Sequence, residues 1–305
     1  MTSSPILLIV FNRPSHARAV FEKVRAARPS RLYVAVDGPR EHRPEDAALV
    51  QETIGIYENI DWPCEVRRLV RKDNLGCKMA VSSAISWFFA NEERGIILED
   101  DCLPDASFFP YCDHLLEKYQ ATDSVMHING VNFQDGNRRG SGTYYFSKIC
   151  HVWGWASWRR AWQKYDINMN GLEEFFSQKL YLSVLNYKDS LQYWQSSFVR
   201  TKEGLIDTWD YQWVFSVWKN NGLSITPNVN LISNIGFDEM ATHTHKDDPR
   251  VSNKPLTALT GEISDPLLMV PDYDGDQYSF DKLFSYKNDF VSKVKRKLYS
   301  LTNSQ

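Results

Sequence analysis

Four short apolar runs, each leading through a turn into a helix-period segment or an acidic cluster, dominate the first hundred residues. Residues 6–11 are apolar without interruption, and Asn12-Arg13-Pro14 ends the run. Ala17, Val20, Phe21 and Val24 follow at helical spacing. A second run, 32–36, is stopped by Asp37-Gly38-Pro39, a strong turn signal. Residues 44–58 read as a helix and 66–70 as a third strand. Cys77, Ala80, Val81, Ala84, Ile85, Phe88 and Phe89 keep the i, i+3, i+4 spacing of an amphipathic helix, and Gly95 is read as its end. Residues 96–98 make a fourth strand, which runs directly into Glu99-Asp100-Asp101.

Strands that are apolar on both faces must be covered on both faces. Strands joined through helices cross over right-handedly and pair in parallel. The expected fold class is therefore α/β and Rossmann-like, with a mostly parallel central sheet and helices on both faces. In such sheets ligands bind beyond the carboxyl ends of the strands. Asn12-Arg13, Asp37-Gly38, the 71–76 segment that begins at Arg71, and Asp100-Asp101 then gather at one edge.

Later in the chain, His127-Ile128-Asn129 and 144–146 read as strands, with a polar loop at 136–142 between them. Residues 171–203 look mainly helical, and a helix begins near Asp210. Residues 222–226 and 229–232 are short strand candidates, and 246–280 is polar and turn-rich. In the segment 286–301, Phe290, Val294 and Leu298 share one helical face, beside Lys293, Lys295, Arg296 and Lys297. It reads either as a solvated basic helix or as a peripheral contact with an acidic membrane surface, at the inner face of the membrane. One domain is expected over 1–262, followed by an extension over 263–305.

With 305 residues, 43% of them hydrophobic, the chain can bury a substantial core. A net charge of -3 argues against a general nucleic-acid binder, which normally shows a strong basic excess. The cysteine count is five with no CxxC pair, which implies reduced thiols and a cytoplasmic compartment, and argues against zinc. The apolar run at 6–11 lacks a basic flank and is too short for a signal peptide or a membrane span. No GxGxxG, Walker lysine, GxSxG or HExxH motif occurs, which disfavours dehydrogenases, P-loop NTPases, serine hydrolases and zincins.

Glu99-Asp100-Asp101 carries the strongest chemical signal. Adjacent carboxylates at the end of a buried strand repel one another and lose solvation unless a cation compensates. A hard divalent ion with diphosphate oxygens supplies that compensation; the alternative is a solvated acidic turn. Trp209-Asp210-Tyr211 sets a carboxylate among aromatic rings, where a raised pKa suits a general base. The alternative is that Asp210 caps the following helix, and Asp207 competes for the base role. The run from His151 through Trp153, Gly154 and Trp155 to Trp158 could wall an acceptor groove, with Gly154 permitting close approach, or form a core strand. Eight of the ten tryptophans fall between Trp153 and Trp218, offering flat faces to sugar rings or filling a large aromatic core. A metal contact by His243 or His245 completes the candidates.

With these motifs in this order, residues 5–245 resemble the bacterial GT-A glycosyltransferases of the HlpA-like, family-2-like type. Those are in turn similar to Golgi enzymes of the N-acetylglucosaminyltransferase I type. The resemblance implies a GT-A nucleotide-diphospho-sugar transferase fold. It implies that Arg13 and Asp37 contact the nucleotide, Asp37 at the base, with Arg71 in the same donor-binding set. Asp100 would contact donor ribose or sugar, and Asp101 would ligate Mn²⁺ or Mg²⁺. Asp210 would deprotonate the acceptor hydroxyl, while Trp153, Gly154, Trp155 and Trp209 line the acceptor. The implied reaction is inverting transfer from a nucleotide sugar, a UDP-sugar foremost, to a glycan or glycolipid acceptor in envelope or polysaccharide assembly. Two other classes remain open: a metal-dependent nucleotidyl- or phosphotransferase using the same acids without Asp210, and a carbohydrate-binding protein using the tryptophans without the acids.

Overall fold

The computed structural model describes residues 1–185, 188–237, 248 and 250–284. The four apolar runs form the strands β1 (Ile6–Val10), β2 (Arg31–Val36), β3 (Glu65–Val70) and β4 (Arg94–Glu99). Between them lie the helices α1 (Pro14–Ala27), α2 (Glu45–Ile56) and α3 (Gly76–Asn91). A short strand β5 (Cys102–Pro104) and helix α4 (Phe108–Lys118) follow the acids, then β6 (Val125–Asn129), β7 (Tyr144–Ser147) and β8 (Trp155–Trp158). The rest comprises α5 (Arg159–Trp162), α6 (Leu172–Ser177), α7 (Lys188–Lys202), α8 (Asp210–Lys219), β9 (Leu223–Pro227), β10 (Ile232–Asn234) and α9 (Tyr273–Leu283).

The main sheet has eight strands in the order β3-β2-β1-β4-β8-β6-β9-β7. The first four are parallel, β8 and β7 run against their neighbours, and β6 and β9 are parallel to each other. The expected α/β class, with a mostly parallel sheet and helices on both faces, is the one observed. Alternation along β1 sorts the core. Ile6, Leu8 and Val10 face α1, α2 and α4, whereas Leu7 and Ile9 face α3 and a tryptophan-rich layer. Burying each such side chain stabilises the fold by about 1.5–3 kcal/mol.

Several expectations need correction. Gly95 does not end the helix. It lies inside β4, where a Cβ would sit 2.3 Å from the Phe88 ring, so the glycine lets α3 settle on the strand. The strand expected over 229–232 forms two to three residues later, as β10, which pairs antiparallel with β5. The polar 246–280 stretch contains the start of α9, capped where Gly275 N donates to Asp272 Oδ1 at 2.8 Å. Residues 263–284 are joined to β7: Thr143 N donates to Ser264 O, and Asp272 N to Phe146 O. The basic segment 286–301 lies outside the described residues. Among those described, no helix is long and apolar enough to cross a membrane, and the five cysteines are free thiols.

Candidate active site

Register places the site. Ile9 pairs with Glu99 and Val10 with Val36, so Phe11, Asn12, Arg13, Asp37 and Asp100 leave three adjacent strands side by side. Asn234 pairs with Cys102, which brings the β10 end beside Asp101. Arg13 Nη1 lies 3.0 Å from Asp101 Oδ2 and 3.9 Å from Asp100 Oδ1. Phe11 N donates to Asp100 Oδ2 at 3.3 Å. Loss of solvation pushes the Glu99 carboxyl well above its usual range; Asp101, Asp100 and Asp210 push the same way, and Arg13 opposes them. Gly236 closes over this group. A Cβ there would stand 2.2 Å from Asp101 Oδ2 and 2.8 Å from Arg13 Nη1. Gly236 N donates to Asn234 Oδ1 at 2.9 Å, which holds the loop in place.

The opposite wall is the start of α3. Leu75 N donates to the Asp37 carboxylate at 3.1 Å and Asn74 Nδ2 at 2.9 Å. Burial nevertheless raises the Asp37 pKa, against these bonds and the nearby Arg71. Asp207 accepts from Cys77 N at 3.1 Å and Lys78 N at 3.3 Å, so it binds the unsatisfied amides of the α3 N-terminus. Asp207 is not among the residues that line the cleft holding Asp210. Arg71 is not a cleft residue in this arrangement: its Nη2 donates to Ser83 Oγ at 2.8 Å on α3.

Asp210 is the first residue of α8, and Trp209 stands at the cap position. Its Oδ1 accepts from Tyr211 N at 2.8 Å and from Thr208 Oγ1. Trp209, at the cap position, makes no side-chain cap bond, whereas the Asp210 carboxylate holds the first-turn amide of Tyr211. Two clefts of about 270 Å³ each meet at this carboxylate. The first is acidic and holds Arg13, Asp37, Asp100 and Asp101. The second is aromatic, with Phe133, Tyr193, Tyr211 and Phe284, and carries Arg250 beside Asp248. Val152, Trp153 and Asp210 belong to both.

The aromatic expectations divide. Trp153 is half-buried between the clefts, edge-on to Phe133 and Phe237. Trp155 is fully buried in β8, stacked on His127 at 4.8 Å and on Trp209 at 5.7 Å. It is a core residue and walls neither cleft. Gly154, at φ 59°, spares a clash with Ile232, to which a Cβ would come within 2.5 Å; its close approach serves packing. Trp209 reaches the first cleft from a buried position. Trp162, Trp194, Trp213 and Trp218 complete the aromatic layer with Trp155 and Trp209. His127 Nδ1 accepts from Trp213 Nε1, so its Nε2 donates to the His151 carbonyl. Burial drives both histidine pKa values down, to about 4 and about 3, which keeps the rings neutral.

Sequence reading missed Arg40 and the role of Asn12. Arg40 pairs with the buried Asp46 through Nε at 2.6 Å and Nη2 at 2.9 Å, and Asn12 Nδ2 donates to the same carboxylate at 2.7 Å. Arg40 also lies over the Phe11 ring at 5.3 Å. The basic residue right after the Asp37-Gly38-Pro39 turn was the available signal. His243 and His245 lie outside the described residues.

Among the described residues, no group of three or more His, Cys, Asp or Glu side chains is arranged as a metal cage. A magnesium-type ion commonly takes one or two carboxylates and completes its shell with water and phosphate oxygens. Asp100 and Asp101 are hard oxygen donors on one rim, so the donor set suits an ion shared with a ligand.

No protein-family model matches the chain, and no curated protein matches it. The chain has slight similarity to solved structures. A UDP-glucose pyrophosphorylase complexed with UDP-glucose overlaps with TM-score 0.34 at 10% identity, covering 53% of this chain and 78% of that one. Apo UDP-glucose pyrophosphorylase gives 0.38 at 10% identity, with 76% and 93% covered. HddC from Yersinia pseudotuberculosis gives 0.29 at 10% identity, with 52% and 77% covered. Overlap this slight says nothing about what the chain binds.

Proposed function

We propose that the chain is an inverting, metal-dependent glycosyltransferase of the GT-A type that moves a sugar from a nucleotide-diphosphate donor, foremost a UDP-sugar, to an acceptor hydroxyl. The observation that carries this reading is the shared position of Asp210 between an acidic cleft and an aromatic one. A transferase needs such a partition: donor on one side, acceptor on the other, and a proton acceptor where they meet. Arg13 and Asp37 hold the nucleotide, and Asp100 the ribose or sugar. Asp101 holds Mn²⁺ or Mg²⁺, which when bound neutralises charge on the leaving diphosphate. Thr208 and the Tyr211 amide fix one oxygen of Asp210. Asp210 takes the acceptor proton as the acceptor oxygen attacks the anomeric carbon and the bond to diphosphate breaks, in line, with inversion. Trp153 lies against both substrates.

The acidic cleft alone would serve a sugar nucleotidyltransferase, which needs neither the aromatic cleft nor Asp210. Nucleoside diphosphate release from UDP-, GDP- and dTDP-sugars, with Mn²⁺ or EDTA, separates the readings. EDTA-sensitive turnover of one donor, lost in Asp101→Ala and in Asp210→Asn, supports transfer. Pyrophosphate-dependent turnover that survives Asp210→Asn would assign the nucleotidyltransferase instead. Absence of nucleotide-sugar binding in the presence of metal would sink both.

A further inference from the structure

The aromatic cleft carries several polar side chains, and most of them already have partners. Arg250 grips Asp248 through Nε at 2.9 Å and Nη2 at 2.6 Å, and its Nη1 donates to Lys282 O at 3.0 Å. The Tyr193 and Tyr211 hydroxyls share a hydrogen bond at 2.8 Å. Thr208 and the Tyr211 amide hold one oxygen of Asp210. The Trp194 indole N–H has no partner among the described residues, but that atom is closed off from solvent. The His151 ring differs from all of these. It lines the cleft, it is only partly covered, and among the described residues its ring nitrogens make no hydrogen bond.

That ring is held in a fixed place. Its backbone is tied to β6: His151 N donates to Asn129 Oδ1 at 2.6 Å, and its carbonyl accepts from His127 Nε2 at 3.0 Å. The ring stands edge-on to Phe133 at 4.9 Å and faces Phe284 at 6.3 Å, 20° from parallel. Burial brings its pKa down to about 3, so the ring is neutral, with one nitrogen a donor and the other an acceptor. A group fixed in this way loses little conformational freedom when a ligand arrives. A ligand that fills the cleft strips water from the ring, so it must return a hydrogen bond or bind more weakly.

A sugar meets that requirement. Each hydroxyl is a donor and an acceptor at once, and the C–H faces of the ring suit the aromatic walls. A carboxylate or phosphate fits less well. A neutral imidazole offers it no charge, and Arg250 is already matched by Asp248. The cleft reaches Asp210, so a sugar with one hydroxyl at that carboxylate turns its other hydroxyls toward the walls.

We propose that His151 hydrogen-bonds a hydroxyl of a neutral sugar seated in the aromatic cleft, and so selects which sugars enter it. Naming that sugar the acceptor rests on the transferase reading; the contact with His151 does not depend on the donor.

Titration of the full chain by saturation-transfer NMR tests it, with p-nitrophenyl β-glucoside, β-galactoside and α-mannoside and their monodeoxy derivatives as probes. At least one parent glycoside should bind wild type. His151→Phe keeps an aromatic ring between Phe133 and Phe284, and it should weaken that glycoside roughly tenfold, the scale of one lost hydrogen bond. His151→Gln should recover part of the loss. One deoxy derivative, lacking the bonded hydroxyl, should bind wild type and His151→Phe alike, a coupling that a packing role would not produce. Binding of UDP with Mn²⁺ should be the same in wild type and both variants. The assignment is overturned if no glycoside binds wild type, or if His151→Phe binds the parent glycosides as wild type does. It is equally overturned if His151→Phe weakens every deoxy derivative as much as its parent. Absence of EDTA-sensitive nucleoside diphosphate release is a separate failure: the transferase reading falls with it, while glycoside binding that depends on His151 would still place a sugar in this cleft.

Discussion

Asp210 and Gly236 show how much of the candidate chemistry rests on single atoms. Asp210 occupies the start of α8, where the unpaired amides of the first turn favour a carboxylate, and Tyr211 N already binds Oδ1. Asp210→Asn keeps the shape and the helix but removes the proton acceptor. Transfer should fall by about 10²–10⁴-fold, the usual contribution of a general base, while donor binding measured by calorimetry stays within a factor of a few. Gly236→Ala tests the other end of the cleft. Its Cβ would lie 2.2 Å from Asp101 Oδ2, so the carboxylate must swing away from Arg13. Metal-dependent turnover should drop by roughly tenfold or more, because catalytic groups tolerate little displacement, and the apparent affinity for Mn²⁺ should weaken in parallel. An unchanged metal titration would show that Asp101 is not a ligand.

At the scale of elements, α9 is held by a buried carboxylate. Lys148 N donates to Asp276 Oδ2 at 2.9 Å and Ser147 Oγ donates to Oδ1. Burial outweighs these bonds and pushes the Asp276 pKa up to about 7. The folded state therefore holds a proton that the unfolded chain releases near the ordinary carboxyl value. Stability from this group is highest in acid and declines as pH rises from about 4 through about 7, by on the order of 4 kcal/mol at most. Asp276→Asn should flatten that slope. Urea unfolding of both proteins at pH 5 and pH 8 reads the difference, and equal slopes would refute the burial argument. The same helix explains why the sequence was only partly legible. The strands β1 to β4 announce themselves because continuous apolar runs between turn residues allow few other structures. The α9 segment, YDGDQYSFDKL, is polar, and its helix depends on the Asp272 cap and on β7, far away in sequence. Trp155 to Trp158 was read as groove or strand with equal reason, since bulky aromatic residues suit either; only pairing with β4 and β6 decides it.

For the molecule as a whole, the site is an edge assembled from distant parts of the chain, and legibility follows that division. Arg13, Asp37, Asp100 and Asp101 could be placed together from strand order alone, since each sits at or just beyond a strand end. The diversion of Arg71 to Ser83, of Asp207 to α3, and of Arg40 to Asp46 could not, because each depends on a tertiary partner. The arrangement also joins distant parts of the chain: the turn between β1 and α1 supplies Arg13, and α8 and β10 supply Asp210 and Asn234. A ligand filling the acidic cleft therefore ties the parallel half of the sheet to the later half, and it should stabilise the protein globally. At a nucleoside diphosphate concentration a hundred times its dissociation constant, the gain is about 2.7 kcal/mol, enough to raise the thermal midpoint by several degrees. The shift should need Mn²⁺ or Mg²⁺, shrink in Asp101→Ala, and persist in Asp210→Asn, which retains the donor contacts. Scanning calorimetry with UDP, GDP and dTDP, each with metal or EDTA, also ranks the bases. A shift that ignores metal would leave the acids without their cation and remove the main support for a diphosphate in this cleft.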